Sequence, residues 1–534
     1  MAPASYRKLV RSYLDLRWQL DPVAATLAGV PTHDAHLGRF SRPDVKIQIA
    51  ALKAMATAFE AAEVDALADQ VDLTAVLNDT RIWIARLETE KPHELNPEFH
   101  LSHLLTGLFA LMIRDGQPVD LRGRALAARL LDTPRFLTDA RTALQRPASV
   151  FTETAVSVSR GGRTLLREAI PQFATALPVA QRKQIEEALV PARDAYEEFA
   201  EFLAGELIDR SDGDFAIGRD AFDFRLHFEH ALRESAPQLL RYGESLAAEL
   251  TADLERRAEA IAPGTPWRAL AERLRRNTPP AAGLVGRYAS EMQRAREFVV
   301  GKGLVSVPDG PLEVVPTPPF MEPLIPFAAY DPPGAFAEER RGWFYVTVPG
   351  AERLTDHCVH EIACTALHEG YPGHHLQFLR AFEQPSPVRR VVSSPLTVEG
   401  WALYCEELMA DQGFLASQEE VFFQRLHLLW RAVRIVLDVR LHTMGMPMDE
   451  AVRYMTESLG IGKGSADAEV RRYCGAPAYQ LCYAVGRREL LRLREDAKRR
   501  AGASFSLRGF HDEVLSYGGL PVSLIRWGMG LGDG

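Results

Sequence analysis

The sequence has few cysteines, and their spacing shows no pairing pattern. Five cysteines occur among 534 residues, at positions 358, 364, 405, 474 and 482, and none belongs to a CxxC motif. An odd number of scattered cysteines is typical of a reducing compartment. It argues against both a disulfide framework and a cysteine-based zinc cluster. We therefore expect a cytoplasmic protein.

Long apolar runs and a surplus of positive charge are also missing. The first twenty residues, MAPASYRKLVRSYLDLRWQL, carry charges throughout, so we expect no signal peptide. Apolar runs such as LLTGLFALMI at 104–113 are too short to span a bilayer. The net charge is −9, whereas nucleic-acid-binding proteins usually present a basic face. We expect neither a membrane nor a nucleic acid as partner, and a homodimer is left open.

What the sequence does contain is mostly helical pattern. Hydrophobic residues make up 47% of the chain, enough for one large core or two lobes. The stretches 181–207 and 234–261 place apolar residues at steps of three and four, which predicts amphipathic helices. Asp72 and the pair Thr133-Pro134 resemble helix caps, so they predict helix starts.

Residues 301–350 break this helical pattern. Ten of the 34 prolines lie there, a density that no helix tolerates. The stretch ends in GWFYVTV (342–348), which predicts a β-strand. The sequence thus predicts a mainly α fold in three parts that form one integrated catalytic unit. These are an N-terminal helical lobe (1–300), a proline-rich segment with a small sheet (301–350) and a C-terminal helical lobe (351–534).

The densest cluster of metal-binding side chains lies early in the last part. Five of the 15 histidines fall between 357 and 375, around the stretch TALHEGYPGHHLQF (365–378). His368-Glu369 opens like a zinc-protease HExxH helix, but Pro372 stands where the second histidine belongs. On an unbroken helix, His374 would point about 120° away from His368. His375 would share the face of His368 but lie about 10 Å along the axis.

The step Pro372-Gly373 offers a solution to this spacing. Proline removes an amide hydrogen bond and collides with the preceding turn, and glycine permits unusual backbone angles. The helix is therefore expected to restart here and to bring His374 back toward His368. We favour His374 over His375 as the ligand, with His375 orienting a ligand or touching substrate. The alternative is a helical corner with surface histidines and no metal.

A third ligand is predicted in PLTVEGWALYCEEL (395–408). Zinc sites built on two histidines commonly take a glutamate from a following helix. Glu399 lies beside an apolar run, where an unpaired carboxylate would be costly. Glu406 is seven residues later on the same helical face and is a candidate for ligand or supporting partner. Alternatively, Glu406 and Glu407 form a solvated helix face.

A further group lies in RAVRIVLDVRLHTMGMPMDE (431–450). Asp438 and His442 are spaced i,i+4 and therefore share a helix face. With Arg431 and Arg434 one and two turns earlier, this pair could orient an imidazole and hold a substrate carboxylate. The alternative is a structural Asp–His pair.

Several stretches together resemble the bacterial family called domain of unknown function 885. They occur in the family's order over most of residues 340–530. They are TALHEGYPGHHLQ, EGWALYCEEL, RAVRIVLDVRLH, VRRYCGAPAYQLCYAVGRRELLRLR and FHDEVLSYGGLPVSLI. The chain departs from the family at PAYQ (477–480), where many relatives have Gly-Gln, and near Arg440, where they have a glycine.

The resemblance implies a fold like that of helical zinc peptidases such as thimet oligopeptidase and the Thermus carboxypeptidase. In that fold, long helices flank a deep groove with a small sheet at its edge. The resemblance implies zinc on His368, His374 and Glu399, with Glu369 as general base. Tyr483 and His442 are then the candidates for steadying the oxyanion, and Tyr473 is a weaker one.

These expectations describe a zinc metallopeptidase acting on small peptides. Arg434 would hold a terminal carboxylate, as in a carboxypeptidase or dipeptidase, and GWFYVTV would pair through an exposed edge with extended substrate. Two alternatives stay open: hydrolysis of a non-peptide small-molecule amide, and a non-catalytic helical scaffold with or without metal. Manganese, cobalt or iron could replace zinc on such ligands.

Overall fold

The computed structural model describes residues 3–114, 116–318, 321–322, 325 and 327–532. The described chain is mainly α-helical and carries one small three-stranded sheet. The mainly α fold with a small sheet is thereby confirmed. The finer prediction, a two-lobed peptidase-like form with a deep groove, stays a prediction.

The chain divides into two compact units. The first comprises Met1–Phe215, Pro319–Leu324 and Gly334–Glu339. The second comprises Ala216–Pro318, Ile325–Pro333 and Arg340–Gly534.

Ten α-helices of the described chain build the first unit around one large apolar core. They are α1 (Ala4–Leu20), α2 (Pro22–Ala28), α3 (Arg42–Glu60), α4 (Leu67–Ala85), α5 (Pro92–Leu95), α6 (Pro97–Ile113), α7 (Val119–Ala143), α8 (Ser149–Thr164), α9 (Ile170–Ala174) and α10 (Val179–Phe202). Short π-helical turns follow α4, α8 and α10. Leucines of α6, α7 and α10, such as Leu104, Leu126 and Leu189, are fully or almost fully buried in this core. The amphipathic spacing seen in the sequence therefore reflects real burial.

Two helix starts predicted in this unit are wrong. Asp72 lies inside α4 and Pro134 lies inside α7. In α7, Leu130 and Leu137 lie on either side of the proline and are buried in the core. Their packing keeps the helix continuous although Pro134 cannot donate a backbone hydrogen bond. The buried Thr133 hydroxyl donates to the Arg129 carbonyl at 2.9 Å, so it acts within the helix instead of capping it. Packing outweighs the local cap signal.

The second unit holds the remaining helices. They are α11 (Gly218–Phe228), α12 (Ala236–Ile261), α13 (Trp267–Arg275), α14 (Leu284–Lys302), α15 (Val359–Glu369), α16 (His374–Phe382), α17 (Pro387–Val391), α18 (Pro395–Asp411), α19 (Gln418–Thr443), α20 (Met448–Leu459), α21 (Lys463–Cys474), α22 (Cys482–Ala501), α23 (Leu507–Leu515) and α24 (Val522–Gly528). Helix α12 packs along α19, so the helices after residue 216 belong with the C-terminal ones. The two compact units therefore do not coincide with the segments 1–300, 301–350 and 351–534.

Helices α18 and α22 approach each other closely. A side-chain carbon added at Gly486 of α22 would lie 1.9 Å from the Leu396 carbonyl oxygen of α18. The crossing therefore requires glycine at this position. It brings Glu399 of α18 close to Tyr483 in the first turn of α22.

The sheet lies within the second unit and covers the helix that carries His368. Its strands are β1 (Leu312–Pro316), β2 (Ala328–Asp331) and β3 (Gly342–Val346), in the order β1–β3–β2. Strand β1 runs parallel to β3 and β2 antiparallel to it. Phe344 and Val346 pack with Tyr288 of α14 and Ile362 of α15 in one buried cluster.

The strand predicted at GWFYVTV is confirmed as β3, but its expected exposed edge is wrong. Strand β3 pairs with β1 from Leu312–Gly342 to Pro316–Val346 and with β2 from Ala328–Val346 to Asp331–Trp343. Both of its edges are therefore used within the sheet. The edges left for an extended peptide are those of β1 and β2.

Candidate metal centre

The predicted helix break after His368 is confirmed. Helix α15 ends at Glu369 and α16 begins at His374, and the peptide bond between Tyr371 and Pro372 is cis. A side-chain carbon at Gly373 would lie 1.9 Å from the His368 carbonyl oxygen, so only glycine fits. The Trp401 indole of α18 donates to the Pro372 carbonyl at 2.9 Å and ties the break to the next helix.

This break brings two imidazoles and a carboxylate together. Glu399 Oε2 lies 3.6 Å from His368 Nε2 and 3.4 Å from His374 Nε2. One ligand atom from each residue falls within 4.8 Å of the other two, as three ligands of a common ion require. The exposed fractions are 8%, 8% and 9% for His368, His374 and Glu399, so the group is nearly dry.

His375 faces away from this group. Its Nε2 donates to the Gly310 carbonyl at 3.1 Å, and its Nδ1 accepts from the Tyr330 hydroxyl at 2.9 Å. Burial lowers the pKa of His375 to about 4, so the ring is neutral at physiological pH. Both ring nitrogens of His375 are used in these two hydrogen bonds. The structure therefore brings His374, not His375, to His368 and Glu399.

A carboxylate behind His368 fixes that ring. Glu406 Oε1 lies 2.8 Å from His368 Nδ1, which must donate to it. The other ring nitrogen of His368, Nε2, is then directed at Glu399. This is the carboxylate–histidine–metal arrangement found in zinc proteins. Of the two roles considered for Glu406, the geometry fits the supporting partner.

The carboxylates and the imidazoles of the site shift one another's pKa values. Burial alone would lower the pKa of His368, but Glu399 and Glu406 raise it to about 10. Burial alone would raise the pKa of Glu399, but His368 and His374 hold it well below its usual range. Opposite charges in a dry site stabilise each other in this way.

The donor set therefore fits a divalent metal. Two imidazole nitrogens and one carboxylate leave a position open, as in catalytic zinc sites. His374 Nδ1 and Glu406 Oε2 are buried and have no hydrogen-bond partner in the part of the chain that the structure describes. Glu369, the half-buried last residue of α15, adjoins His368 and is close enough to raise its pKa.

An aromatic and cationic layer borders the metal-binding group. The Tyr483 ring stacks toward His368, with centroids 6.4 Å apart, and the Arg434 guanidinium lies 5.0 Å from the Tyr483 centroid. Arg434 also donates to the Tyr473 hydroxyl at 2.9 Å and pairs with Glu469 at 3.1 Å. Arg434 therefore already has a carboxylate partner inside the chain.

Asp438 and His442 contact the backbone of one segment. Asp438 accepts from the amides of Ala478 and Leu481, at 3.0 and 3.1 Å. His442 Nε2 donates to the Tyr473 carbonyl at 3.0 Å, and its ring is fully buried. The structure thus places both residues as supports of residues 473–481, where Ala478 has a φ of 60°. It does not bring His442 to the metal-binding group.

Comparison with known proteins identifies the family of this chain. A family model described as "Bacterial protein of unknown function (DUF885)" matches residues 22–529. The chain belongs to the DUF885 family. No curated protein matches it significantly.

Two solved structures share the fold of this DUF885 chain. One is from Shewanella oneidensis and is described as a "putative lipoprotein of unknown function". It has 23% identity and a TM-score of 0.82, and the match covers 99% of this chain and 100% of that one. The other, a "putative lipoprotein" from Colwellia psychrerythraea, has 18% identity and a TM-score of 0.86 over 98% of both chains. At these identities the likeness shows the fold alone. Within the described residues, no helix has the length and apolarity to cross a membrane.

Sequence analysis of this DUF885 chain missed one residue of the site. The Tyr479 hydroxyl donates to Glu399 Oε1 at 2.5 Å, and the Tyr479 ring packs edge-on against Tyr483. Tyr479 lies in PAYQ (477–480). Its contact with Glu399 joins residues 80 positions apart, so no local pattern in the sequence indicated it.

Proposed function

We propose that this chain is a zinc-dependent hydrolase that cleaves amide or peptide bonds of small peptides, in the manner of a carboxypeptidase or dipeptidase. One observation carries the proposal: His368 Nε2, His374 Nε2 and Glu399 Oε2 converge in a nearly dry site next to Glu369. A purely structural helix corner would not need two imidazoles and a carboxylate aimed at one point.

His368, His374 and Glu399 would hold the ion, and Glu406 and Tyr479 would keep two of these ligands in place. A zinc ion held there would supply a water with a pKa lowered toward 7 and a Lewis acid for the scissile carbonyl. Glu369 accepts the proton of that water at its carboxylate and later delivers it to the leaving amine. Its place at the end of α15, beside the first ligand, suits this role.

Tyr483 is the better of the two candidates for steadying the oxyanion. Burial raises the pKa of Tyr483 well above its usual range, so its hydroxyl stays protonated and can donate a hydrogen bond. Arg434 and Arg431 lie against its ring, with guanidinium-to-centroid distances of 5.0 and 5.8 Å. The imidazole of His442 already donates to a backbone carbonyl.

Recognition of a substrate carboxylate falls to an arginine in the same layer. Glu469 neutralises Arg434, which weakens the case for that residue. Arg431 is half-buried, and its Nε has no hydrogen-bond partner among the described residues. We therefore assign the substrate carboxylate to Arg431 in preference to Arg434.

The test begins with metal analysis of the purified chain. We expect zinc, or another divalent metal, and His368→Ala should lower the bound metal by one equivalent. Glu369→Gln should keep the metal and abolish turnover, while Glu383→Gln, at an exposed glutamate directly after α16, should leave both unchanged. A Glu369→Gln variant with full activity would contradict the assignment of Glu369 as the general base.

A substrate panel separates the remaining alternatives. Turnover of dipeptides over acylated amines supports the peptidase, and the reverse preference supports an amidohydrolase of small metabolites. Absence of both metal and turnover supports a non-catalytic scaffold. The cytoplasmic location and the lack of membrane or nucleic-acid partners stay predictions, which cell fractionation and binding assays can test.

A further inference from the structure

A second set of metal-ligating side chains lies beside the proposed centre. Cys364 of α15, Glu406 of α18 and His427 of α19 each offer one ligand atom, and these atoms lie within 4.8 Å of one another. Cys364 and Glu406 are each only 1% exposed. Three different helices therefore direct a thiol, a carboxylate and an imidazole to one small, dry region.

Glu406 is the residue whose contacts most need explanation. Its Oε1 accepts from His368 Nδ1, but its Oε2 is buried without a hydrogen-bond partner among the described residues. A buried carboxylate oxygen with no donor costs free energy on the order of 1–3 kcal/mol or more. A cation at the Cys364 side of Glu406 would remove this cost.

A hydrogen bond holds the imidazole of His427 in an orientation that suits cation binding in the same region. Its Nε2 lies 3.0 Å from Glu361 Oε1, to which it donates. A neutral imidazole held this way carries its lone pair on Nδ1. The Glu361–His427 pair thus repeats the carboxylate–imidazole arrangement of Glu406 and His368.

We propose that Cys364, Glu406 and His427 form a second site for a zinc-class divalent cation, separate from the centre of His368, His374 and Glu399. A thiolate, an imidazole and a carboxylate together favour Zn²⁺, Co²⁺ or Fe²⁺ over Mg²⁺ or Ca²⁺, which prefer oxygen ligands alone. On binding, the Cys364 Sγ–H bond is lost, its proton passes to solvent and the sulfur becomes a ligand.

This second site shares Glu406 with the proposed catalytic centre. One oxygen of Glu406 holds His368 Nδ1, and the other would contact the second cation. Occupancy of the second site therefore fixes the carboxylate that orients the first ligand of the catalytic site. The scattered cysteines of the sequence gave no sign of this, because a mixed site needs only one thiolate.

Cobalt is the probe, because a thiolate bound to Co²⁺ gives an intense near-ultraviolet charge-transfer band that nitrogen and oxygen ligands do not give. The full-length apo chain is titrated with Co²⁺, and bound metal is counted. We expect two equivalents and a charge-transfer band. Cys364→Ser should remove the band and one equivalent. Cys358→Ser, a matched control at an equally buried thiol, should keep both.

His427→Gln provides a second variant at a less buried position and should also lose one equivalent, with unchanged far-ultraviolet circular dichroism. A wild-type chain without the band, or a band that survives Cys364→Ser, overturns the inference. His374→Ala separates this inference from the proposed function. It should remove the other equivalent and leave the band. If His374→Ala removes no bound cobalt, the proposed catalytic centre is wrong, while the inference of the second site is unaffected.

Discussion

Tyr479 and Glu399 are joined by a short hydrogen bond that decides which carboxylate oxygen faces the histidines. The Tyr479 hydroxyl donates to Glu399 Oε1, and Oε2 lies within 3.6 Å of both His368 Nε2 and His374 Nε2. Tyr479 follows Ala478, a residue in the left-handed region whose amide is held by Asp438. The buried Asp438 thus supports the proposed metal ligand through one backbone turn.

Tyr479→Phe should weaken zinc binding by about 10- to 100-fold, because the Glu399 carboxylate loses the group that orients it. The measurement is competition against a fluorescent zinc chelator. Tyr454→Phe, which alters a tyrosine on α20 away from the site, should bind zinc like the wild type. Equal affinity of the Tyr479 variant would show that Glu399 needs no such support.

Gly373→Ala should disrupt the helix break that brings His374 to His368. The added carbon would meet the His368 carbonyl at 1.9 Å, so the backbone must shift. We expect a loss of stability of more than about 2 kcal/mol and loss of the bound metal. Urea unfolding and metal analysis measure the two effects. Gly462→Ala has open space around it and a φ of −64°, so it should change neither.

The sequence predicted those parts of the site that depend on local chemistry. A proline without an amide hydrogen and a glycine without a side chain indicate a break wherever they lie in a helix. From that break, the meeting of His368 with His374 followed. The position of Glu399 next to an apolar run also followed from the cost of burying an unpaired carboxylate.

The parts that could not be predicted depend on distant packing. Tyr479 reaches Glu399 only because α18 and α22 cross at two glycines, which no local pattern shows. The i,i+4 spacing of Asp438 and His442 predicted a pair, but backbone groups of residues 473–481 recruit both side chains. The order of the strands could not be predicted either, because nothing in the proline-rich segment indicates that β1 and β2 pair with the two edges of β3.

Glu469→Gln should reduce stability at neutral pH and matter less in acid. Burial alone would raise the pKa of Glu469, but Arg434 and Arg472 lower it to about 2, from an ordinary 4.5. The ionised form is therefore favoured in the folded state. Its contribution is fully present above pH 4.5 and is lost as the pH falls through 2.

We expect the Glu469→Gln variant to lose about 2 kcal/mol at pH 7. This deficit should narrow progressively between pH 4.5 and 2. Urea unfolding at pH 7, 4 and 3 measures it. Glu495→Gln removes a long ion pair between an exposed glutamate and the half-buried Arg494, and should change stability little at any of these pH values. A deficit independent of pH would mean that Glu469 acts through packing and not through its charge.

Removal of metal should lower the thermal stability of the chain, because an ion that binds only the folded state stabilises it by mass action. Free zinc at about 100 times its Kd is worth ~2.7 kcal/mol. We expect chelation to lower the unfolding midpoint and added zinc to restore it. His374→Ala should lose much of this zinc-dependent shift, whereas His227→Ala, an exposed histidine of α11, should keep all of it. A shift of equal size in the wild type and in His374→Ala would place the stabilising ion elsewhere and leave the convergence of His368, His374 and Glu399 without a bound metal to explain it.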